Sequence, residues 1–316
     1  MFDRDLYKTM GQAGILGINY PEALGGTEGD LFQLIVANEE IMRSGSGGLS
    51  ASLFSHNIGL PPIANFGNET LKQQVVPQVL SGEKICALAI TEPGGGSDVA
   101  NLKTRAIRDG DIYRVSGSKT FITSGTRADY YTVAVRTGSS GHQGVSLLMI
   151  EKDTPGFTTG KPLKKMGWWA SDTCELFFDN CEVPATNLLG EENQGFKVIM
   201  ANFQKERLML TVMAYMTAQL ALEQCLDYVK ERSAFDSKLA DIQVIRHKLA
   251  DMATQVEIAR EYAYRIAARM DAGENVLKEI SMAKNFATDV CDTVTHEAVQ
   301  IFGGMGYMRE SLVERL

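Results

Sequence analysis

The strongest constraint on the fold is a run of apolar residues between positions 242 and 270. Its members step by three and four without interruption: Ile242, Ile245, Leu249, Met252, Val256, Ala259, Ala263, Ile266 and Met270. This spacing puts them on one stripe of a single long helix, which must bury the stripe against other helices. The helix is expected to end at 271–273, and another is expected over 277–301. With the long segment 196–230, these elements predict a C-terminal helical bundle.

Two further regions precede the bundle. Residues 1–84 read as helical, with an apolar helix over 31–42 and another over 51–58 that the pair Pro61-Pro62 ends. Asn68 is expected to open a helix toward Leu80. From 85 the pattern changes to short β-rich runs with glycine turns, and the Asp109-Gly110 turn precedes an alternating run typical of a hairpin.

The predicted fold class is therefore α+β with three domains. They are an N-terminal helical domain over 1–84, a middle small β-barrel or β-sandwich domain over 85–195, and the helical bundle over 196–316. Strands are expected over 112–115, 130–135, 145–150 and 173–178.

Charge and composition exclude several classes of function. The 316 residues carry a net charge of −8, whereas a nucleic-acid-binding protein needs a basic face. No apolar run approaches the ~20 residues that cross a bilayer, and residues 1–6 have no signal or transit character. The five cysteines and four histidines are dispersed without metal-ligand spacing, so we expect reduced thiols and no metal site.

The most informative segment for function is a strand that stops at a proline and opens into a glycine-rich turn. It reads Ala89-Ile90-Thr91-Glu92-Pro93-Gly94-Gly95-Gly96-Ser97-Asp98. Three successive glycines remove every Cβ, so the backbone can approach a flat or anionic ligand closely. A glycine run alone is a weak signal, because most such runs are flexible turns. Two other segments accompany it: Gly117-Ser118-Lys119-Thr120-Phe121-Ile122-Thr123-Ser124-Gly125 and Gln300-Ile301-Phe302-Gly303-Gly304-Met305-Gly306-Tyr307.

In this order the three segments resemble the acyl-CoA dehydrogenase family of flavoproteins, and the resemblance extends from about Leu6 to Leu316. It implies an FAD cofactor and an acyl-CoA substrate. The implied reaction is α,β-dehydrogenation, in which a carboxylate removes the α-proton while a hydride leaves the β-carbon for flavin N5. The segments contain no dinucleotide fingerprint of the Rossmann kind, so another architecture must hold the flavin.

The resemblance also implies partners and a location. Relatives pass their electrons to electron-transferring flavoprotein and assemble as homotetramers, arranged as dimers of dimers. Both are expected here. A bacterial protein of this kind would be cytoplasmic, and a eukaryotic one would lie in the mitochondrial matrix.

The same resemblance assigns the flavin contacts to two groups of positions. The positions for the ring are Leu88, Ile90, Thr91, Ser97, Phe121 and Thr123. The positions for the adenosine half, which relatives reach from a second subunit, are Arg232, Phe235, Gln243, Gln300, Gly303 and Gly304. Many relatives have tryptophan where this chain has Phe121, which either lies against the ring or is a core aromatic of the β domain.

The candidate base is Glu206, which directly precedes Arg207 as in the isovaleryl- and long-chain-specific branch of the family. Most other members carry the base on a loop near the C-terminus. This sequence ends at Leu316, before that loop, so we expect the bundle to lack its final segment. The alternative for Glu206 is a solvated helix glutamate. As a base beside the flavin it would be buried, and its pKa would rise toward neutrality.

The candidate substrate contacts are Ser97, Phe203 and Arg207. By resemblance Ser97 binds near the CoA arm, and its alternative is a turn hydroxyl bonded to its own backbone. Arg207 contacts either the CoA end of the substrate or the surroundings of the glutamate, or it is a surface guanidinium. The position of Glu206 favours a medium to long or branched acyl chain.

One position departs from the family pattern. After Ser233-Ala234-Phe235 the usual glycine is replaced by Asp236. The change adds a negative charge near a pyrophosphate and removes a permissive backbone position. It either weakens FAD binding or leaves a side chain that points outward. Two other functions stay open. Fold does not fix chemistry, so a flavin-dependent oxidase or monooxygenase of the same fold is one, although Glu206 disfavours it. A non-catalytic relative is the other, and only Asp236 and the missing C-terminal segment support it.

Overall fold

The chain folds into two compact units in a computed structural model that describes residues 3–316. One unit comprises the residues up to 29 together with 51–203, and the other comprises 30–50 with 204–316. Because these units follow contacts in space, the three-domain division along the sequence stays a prediction. The helices are α1 Arg4–Gln12, α2 Leu31–Met42, α3 Gly47–Leu53, α4 His56–Gly59, α5 Pro61–Phe66, α6 Glu69–Leu80, α7 Gly195–Glu231, α8 Gln243–Asp271, α9 Leu277–Phe302 and α10 Leu312–Arg315.

The helices near the N-terminus follow local capping rules. Helix α2 has the predicted bounds, and it begins with a capping box in which Asp30 accepts from the Gln33 amide and the Gln33 side chain accepts from the Asp30 amide. Helix α6 begins, as predicted, after Asn68, whose side chain accepts from the Leu71 amide.

The prediction of one helix over 51–58 that ends at the proline pair is wrong. Helix α3 ends at Leu53, a short α4 covers His56–Gly59, and Pro61 begins α5. Proline lacks only an amide that the first turn of a helix leaves unbonded anyway, so Pro61-Pro62 starts a helix as readily as it stops one.

The first unit contains one seven-stranded sheet in the order β1-β4-β2-β3-β7-β6, with β5 paired to β4. Strands β1 and β2 are parallel to β4, and the other pairs are antiparallel. Because β4 has three partners, the sheet curls around it, which gives the middle of the α+β fold the closed character that the sequence predicts. The strands are β1 Cys86–Ala89, β2 Arg105–Asp109, β3 Ile112–Thr123, β4 Tyr130–Arg136, β5 Val145–Glu151, β6 Phe157–Thr159 and β7 Thr173–Pro184.

The core of the first unit joins the sheet to its helices. Apolar side chains of α5 and α6 pack with those of β1, β4 and β5 and with the start of α7, and Phe203 lies against this cluster. Fully or nearly fully buried members are Leu60, Ile63, Val75, Val76, Val79, Cys86, Ala134, Val145, Leu147, Met149 and Ile199. This burial fixes β1 and the residue that follows it, where the candidate flavin positions Leu88 and Ile90 lie.

The second unit is a helical bundle. The central members of the predicted stripe on α8, including Leu249, Met252 and Val256, are buried, while Ile242 and Met270 at its ends are partly buried. Leu249, Met252 and Val256 pack with Ala218, Cys225 and Val229 of α7 and with Val290, Val294 and Ala298 of α9. A short hairpin, β8 Ser233–Ala234 and β9 Ser237–Lys238, joins α7 to α8. None of the helices between residues 3 and 316 has the length and apolarity that a membrane span requires.

A substitution at Gly59 tests how closely α4 packs on β1. A Cβ at this position would lie 2.8 Å from the carbonyl carbon of Ala87 and 3.0 Å from its oxygen. Gly59→Ala should therefore lower the free energy of unfolding by about 1–3 kcal/mol, as overpacking does. Chemical denaturation measures the effect, with Gly167→Ala as the control, since a Cβ at Gly167 meets nothing within 4 Å. Equal stability of the two variants would contradict this close packing.

Candidate active site

The candidate flavin-ring positions meet where β1 ends beside β3. Beyond Ala89 the strand pairing with β4 stops, and the Thr91 carbonyl instead accepts from the Thr120 amide at 2.9 Å. This bond brings the glycine turn after Thr91 next to the segment that leads to Phe121 and Thr123. Leu88 is half-buried and Ile90 is buried in the core of the same unit, so both offer backbone rather than side chain at this edge.

Phe121 is held in an unusual conformation. Its φ is +58°, in the left-handed region that bulky residues rarely adopt, and the register of β3 against β7 shifts between Lys119 and Ile122. The side chain is 67% exposed. Because the chain leaves the ring outside its own core, the core-aromatic alternative is wrong, and a strained, exposed aromatic is the kind of feature that marks a ligand site.

The glycine turn leaves open space in front of the backbone. A Cβ at Gly94 or Gly95 would meet nothing within 4 Å, and neither residue has a positive φ. Neither packing nor backbone conformation within residues 3–316 therefore requires glycine here, and the bare backbone fits close approach by a flat bound group. Ser97 is exposed, and its hydroxyl forms no hydrogen bond within the described part of the chain, so the self-bonded turn alternative is not observed.

Glu206 and Arg207 lie in the middle of helix α7 and are both half-buried. Burial raises the pKa of the Glu206 carboxyl, and the positive charge of Arg207 lowers it by less, so the net direction is upward. This is the electrostatic state expected of a carboxyl that must take a proton, and it differs from that of a solvated helix glutamate. Phe203, one turn earlier on the same helix, is partly buried.

The candidate adenosine positions gather at one end of the bundle. Arg232 follows the end of α7, Gln243 begins α8, and Gly303 ends α9 with a φ of +59°. The Tyr228 and Phe302 rings stack with centroids 4.1 Å apart, which joins the end of α7 to the end of α9. Gln300 and Gly304 are exposed beside them, and a Cβ at Gly304 would meet nothing within 4 Å.

Phe235 and Asp236 form the two-residue turn of the β8–β9 hairpin. Both have positive φ, +54° and +59°, as a type I′ turn requires. Phe235 is 93% exposed, and Asp236 is exposed as well. Aspartate tolerates the left-handed region better than most residues, so the backbone of this turn is retained without the glycine.

Two features of the first unit escape the sequence patterns. A buried ion pair joins Lys119 to Glu92; Glu92 directly follows the candidate residue Thr91, and Lys119 lies two positions before the candidate residue Phe121. Strand β3 also carries the exposed Arg114 and several hydroxyl residues, so the sequence gives no signal that Lys119 is buried. The second feature is the segment around Trp168 and Trp169, which are 49% and 63% exposed, with Trp168 at a φ of +54°.

The described residues hold no cluster of three or more His, Cys, Asp or Glu side chains suited to a metal ion. The cysteines carry no disulfide within residues 3–316, and four of them are buried: Cys86, Cys174, Cys181 and Cys225. Burial raises the pKa of their thiols, for Cys225 to about 12, so they act as small apolar side chains rather than nucleophiles.

Comparison with known proteins gives one family. Three family models match: the acyl-CoA dehydrogenase N-terminal domain at residues 1–83, the middle domain at 87–181 and the C-terminal domain at 193–316. An acyl-CoA dehydrogenase of Bacillus subtilis is 44% identical over 100% of this chain and 83% of its own length. The mitochondrial long-chain specific acyl-CoA dehydrogenase of Rattus norvegicus is 39% identical over 97% of this chain and 72% of its own.

Solved structures agree with these matches. The crystal structure of a probable acyl-CoA dehydrogenase from Mycobacterium abscessus superposes with a TM-score of 0.97 and 52% identity, covering 99% of this chain and 84% of that one. Members of this family are FAD-dependent flavoproteins, and the exposed ring of Phe121 beside the bare glycine turn fits such a cofactor. The chain therefore belongs to the acyl-CoA dehydrogenase family and is an FAD-dependent oxidoreductase.

Proposed function

We propose that this protein catalyses α,β-dehydrogenation of a medium- to long-chain or branched acyl-CoA thioester, with Glu206 as the base. The observation that carries the proposal is the half-buried Glu206, whose pKa burial raises, on the helix where one branch of the family has its catalytic glutamate. The identity to the long-chain specific enzyme of Rattus norvegicus supports the same branch.

The candidate catalytic and substrate-binding residues have separate roles. Glu206 takes the α-proton of the thioester, and its raised pKa makes the carboxylate a stronger base than a solvated glutamate. Ser97, Phe203 and Arg207 hold the substrate, with the exposed Ser97 hydroxyl free to donate to the CoA arm. Bound FAD supplies the acceptor for the hydride that leaves the β-carbon.

The flavin contacts follow the two groups described above. The backbone at Leu88 and Ile90, the hydroxyls of Thr91, Ser97 and Thr123, and the ring of Phe121 would hold the isoalloxazine. The adenosine half would contact Arg232, Phe235, Gln243, Gln300, Gly303 and Gly304 of a second subunit. The exposed end of the bundle and its 93% exposed Phe235 support a role toward another copy of the chain.

We further propose a homotetramer, with electron-transferring flavoprotein as the electron acceptor. Exposed apolar side chains on α8 and α9, among them Val244, Ile258 and Met282, support burial against other subunits. A structure of the electron transferring flavoprotein of Acidaminococcus fermentans includes a chain with 40% identity to this one and a TM-score of 0.96. The role fits fatty-acid β-oxidation, in the cytoplasm of a bacterium or the mitochondrial matrix of a eukaryote.

A flavin-dependent oxidase is the second candidate function. The prolyl acyl carrier protein oxidase AnaB has 33% identity and a TM-score of 0.94 to this chain, so the fold also serves oxygen chemistry. Anaerobic mixing with acyl-CoA and an artificial electron acceptor separates the two. Bleaching on the thioester alone excludes a monooxygenase, which needs an external reductant. Reoxidation then separates the other two: a dehydrogenase turns over with the acceptor, whereas rapid turnover with oxygen as the only acceptor would favour the oxidase.

Glu206→Gln should lower the rate of flavin reduction by acyl-CoA by about 10²–10⁴-fold, the usual contribution of a general base. FAD content should be unchanged, because the variant keeps the volume of the side chain. Stopped-flow absorbance with a panel of acyl-CoAs measures the rate. The control is Glu223→Gln on the same helix, where the side chain is 38% exposed. Retained flavin reduction in Glu206→Gln would remove the assignment of the base.

The raised pKa of Glu206 also makes the free energy of unfolding depend on pH. A carboxyl with a higher pKa in the folded chain binds more protons there than in the unfolded chain, so stability falls as pH rises from the ordinary carboxyl pKa through the raised one. Glu206→Gln should therefore be more stable than wild type above that window and equal to it below. Thermal unfolding across pH measures the difference. A difference that does not change with pH would contradict the raised pKa.

Asp236 should weaken FAD binding through its charge rather than through the backbone, because the turn already adopts the left-handed conformation. Asp236→Asn and Asp236→Gly should therefore tighten FAD binding equally, by about two- to fivefold for a surface charge worth roughly 0.5–1 kcal/mol. The gain should shrink at high salt. Titration of apoprotein with FAD measures it. Tightening by glycine alone would assign the effect to the backbone instead.

A further inference from the structure

Lys119 and Glu92 form an ion pair inside the first unit. The Lys119 Nζ lies 2.8 Å from Glu92 Oε1, and the two side chains are 0% and 8% exposed. Burial lowers the pKa of Lys119 to about 8, which leaves the ammonium charged at neutral pH. Burial opposes ionisation of Glu92 as well, but Lys119 and the amides around the carboxylate lower its pKa overall. Both residues are therefore ionised in a place where charged side chains are rare.

The pair joins three segments of chain. Lys119 also donates to the Ile90 carbonyl at 3.0 Å, at the end of β1. Glu92 accepts from the Lys103 amide at 2.6 Å and from the Thr104 amide at 2.9 Å, just before β2. Lys119 thus has two acceptors and both oxygens of Glu92 have donors, so charge-assisted hydrogen bonds connect the ends of β1 and β2 with β3 at one point.

This point lies directly beneath the candidate flavin edge. Ile90 and Glu92 flank Thr91, whose carbonyl accepts from the Thr120 amide next to Lys119. Lys119 is held inside and Ile122 is buried, so the chain between them must bulge outward, and the bulge carries the strained Phe121. A non-glycine residue with positive φ persists only where its surroundings hold the backbone in that conformation. The ion pair holds the backbone on one side of Phe121.

Stability alone does not account for such a pair. Taking two charges out of water costs about as much as their attraction returns, and apolar replacements of similar volume are often equally stable. Buried pairs of this kind are better explained by the geometry that they impose.

We propose that Lys119 and Glu92 are positioning residues for FAD: their ion pair holds the Thr91 backbone and the Phe121 bulge in the arrangement that the flavin ring binds. The inference rests on the proposed function, because it takes Thr91 and Phe121 as ring contacts. Neither Lys119 nor Glu92 contacts the cofactor in this account, and both act through the backbone between them.

The test compares cofactor binding with stability in the same variants. The double variant Glu92→Gln/Lys119→Met removes both charges and keeps an acceptor for one of the amides of 103 and 104, which bind different oxygens of Glu92. Its apoprotein should remain folded under the conditions of the titration, while FAD binding weakens by about tenfold or more, which is one decade in Kd. The absorption maxima and midpoint potential of the bound flavin should shift, since the ring contacts are displaced.

Arg114→Met is the matched control: Arg114 lies on β3, like Lys119, and the substitution breaks its exposed ion pairs with Glu182 of β7 and Asp109 of β2. It should leave both FAD affinity and the flavin spectrum unchanged. Should the double variant not fold, Glu92→Gln alone is measured in the same way, with the same expectation of weaker binding and an altered spectrum. Wild-type FAD affinity and spectrum in whichever variant folds would overturn the inference.

A failure of the proposed function gives a different result from a failure of the positioning role. If wild-type apoprotein takes up no FAD, the assignment of the flavin site is wrong and the positioning role is lost with it. If wild type binds FAD and the variants lose stability and affinity in parallel with no change in the flavin spectrum, the pair is structural only.

Discussion

The candidate flavin edge depends on the buried Lys119–Glu92 ion pair, which lies where the pairing of β1 with β4 ends. Strand β1 leaves its partner β4 after Ala89, and from there the Lys119–Glu92 pair and the Thr120–Thr91 hydrogen bond fix the chain. The contacts at that junction set the positions of Thr91 and Thr120, of the bare glycine turn and of the exposed Phe121 ring. A sheet that continued its regular pairing would have filled this edge with backbone hydrogen bonds and offered nothing to a ligand.

Helix α7 shows how one element serves both packing and chemistry. It runs for 37 residues. Near its start Val198 and Ile199 are buried in one core, and near its end a second core buries Ala218, Ala221, Leu222, Cys225 and Val229. Glu206 lies between those anchored stretches, where burial acts on its pKa. A carboxyl on a loop could relax toward water, whereas the backbone that carries Glu206 is held by the hydrogen bonds of its helix.

Sequence patterns predict the elements whose signals are local and miss those that tertiary contacts decide. The capped helix α2 and the apolar stripe of α8 carry their own signals in spacing and caps, and both form as expected. Pro61 fits the start of a helix as well as its end, and only the packing of α5 selects the start. Similarly, the resemblance identifies Phe121 as a ring contact, but its strain and the ion pair beneath it depend on contacts between residues about 30 positions apart.

The hairpin between α7 and α8 limits which residues can vary in this part of the chain. Its turn needs two left-handed residues, and glycine, asparagine and aspartate are the types that accept this conformation at low cost. Among the three, only aspartate carries a charge. A substitution among these types at position 236 can therefore change the local charge by one unit while the loop keeps its shape.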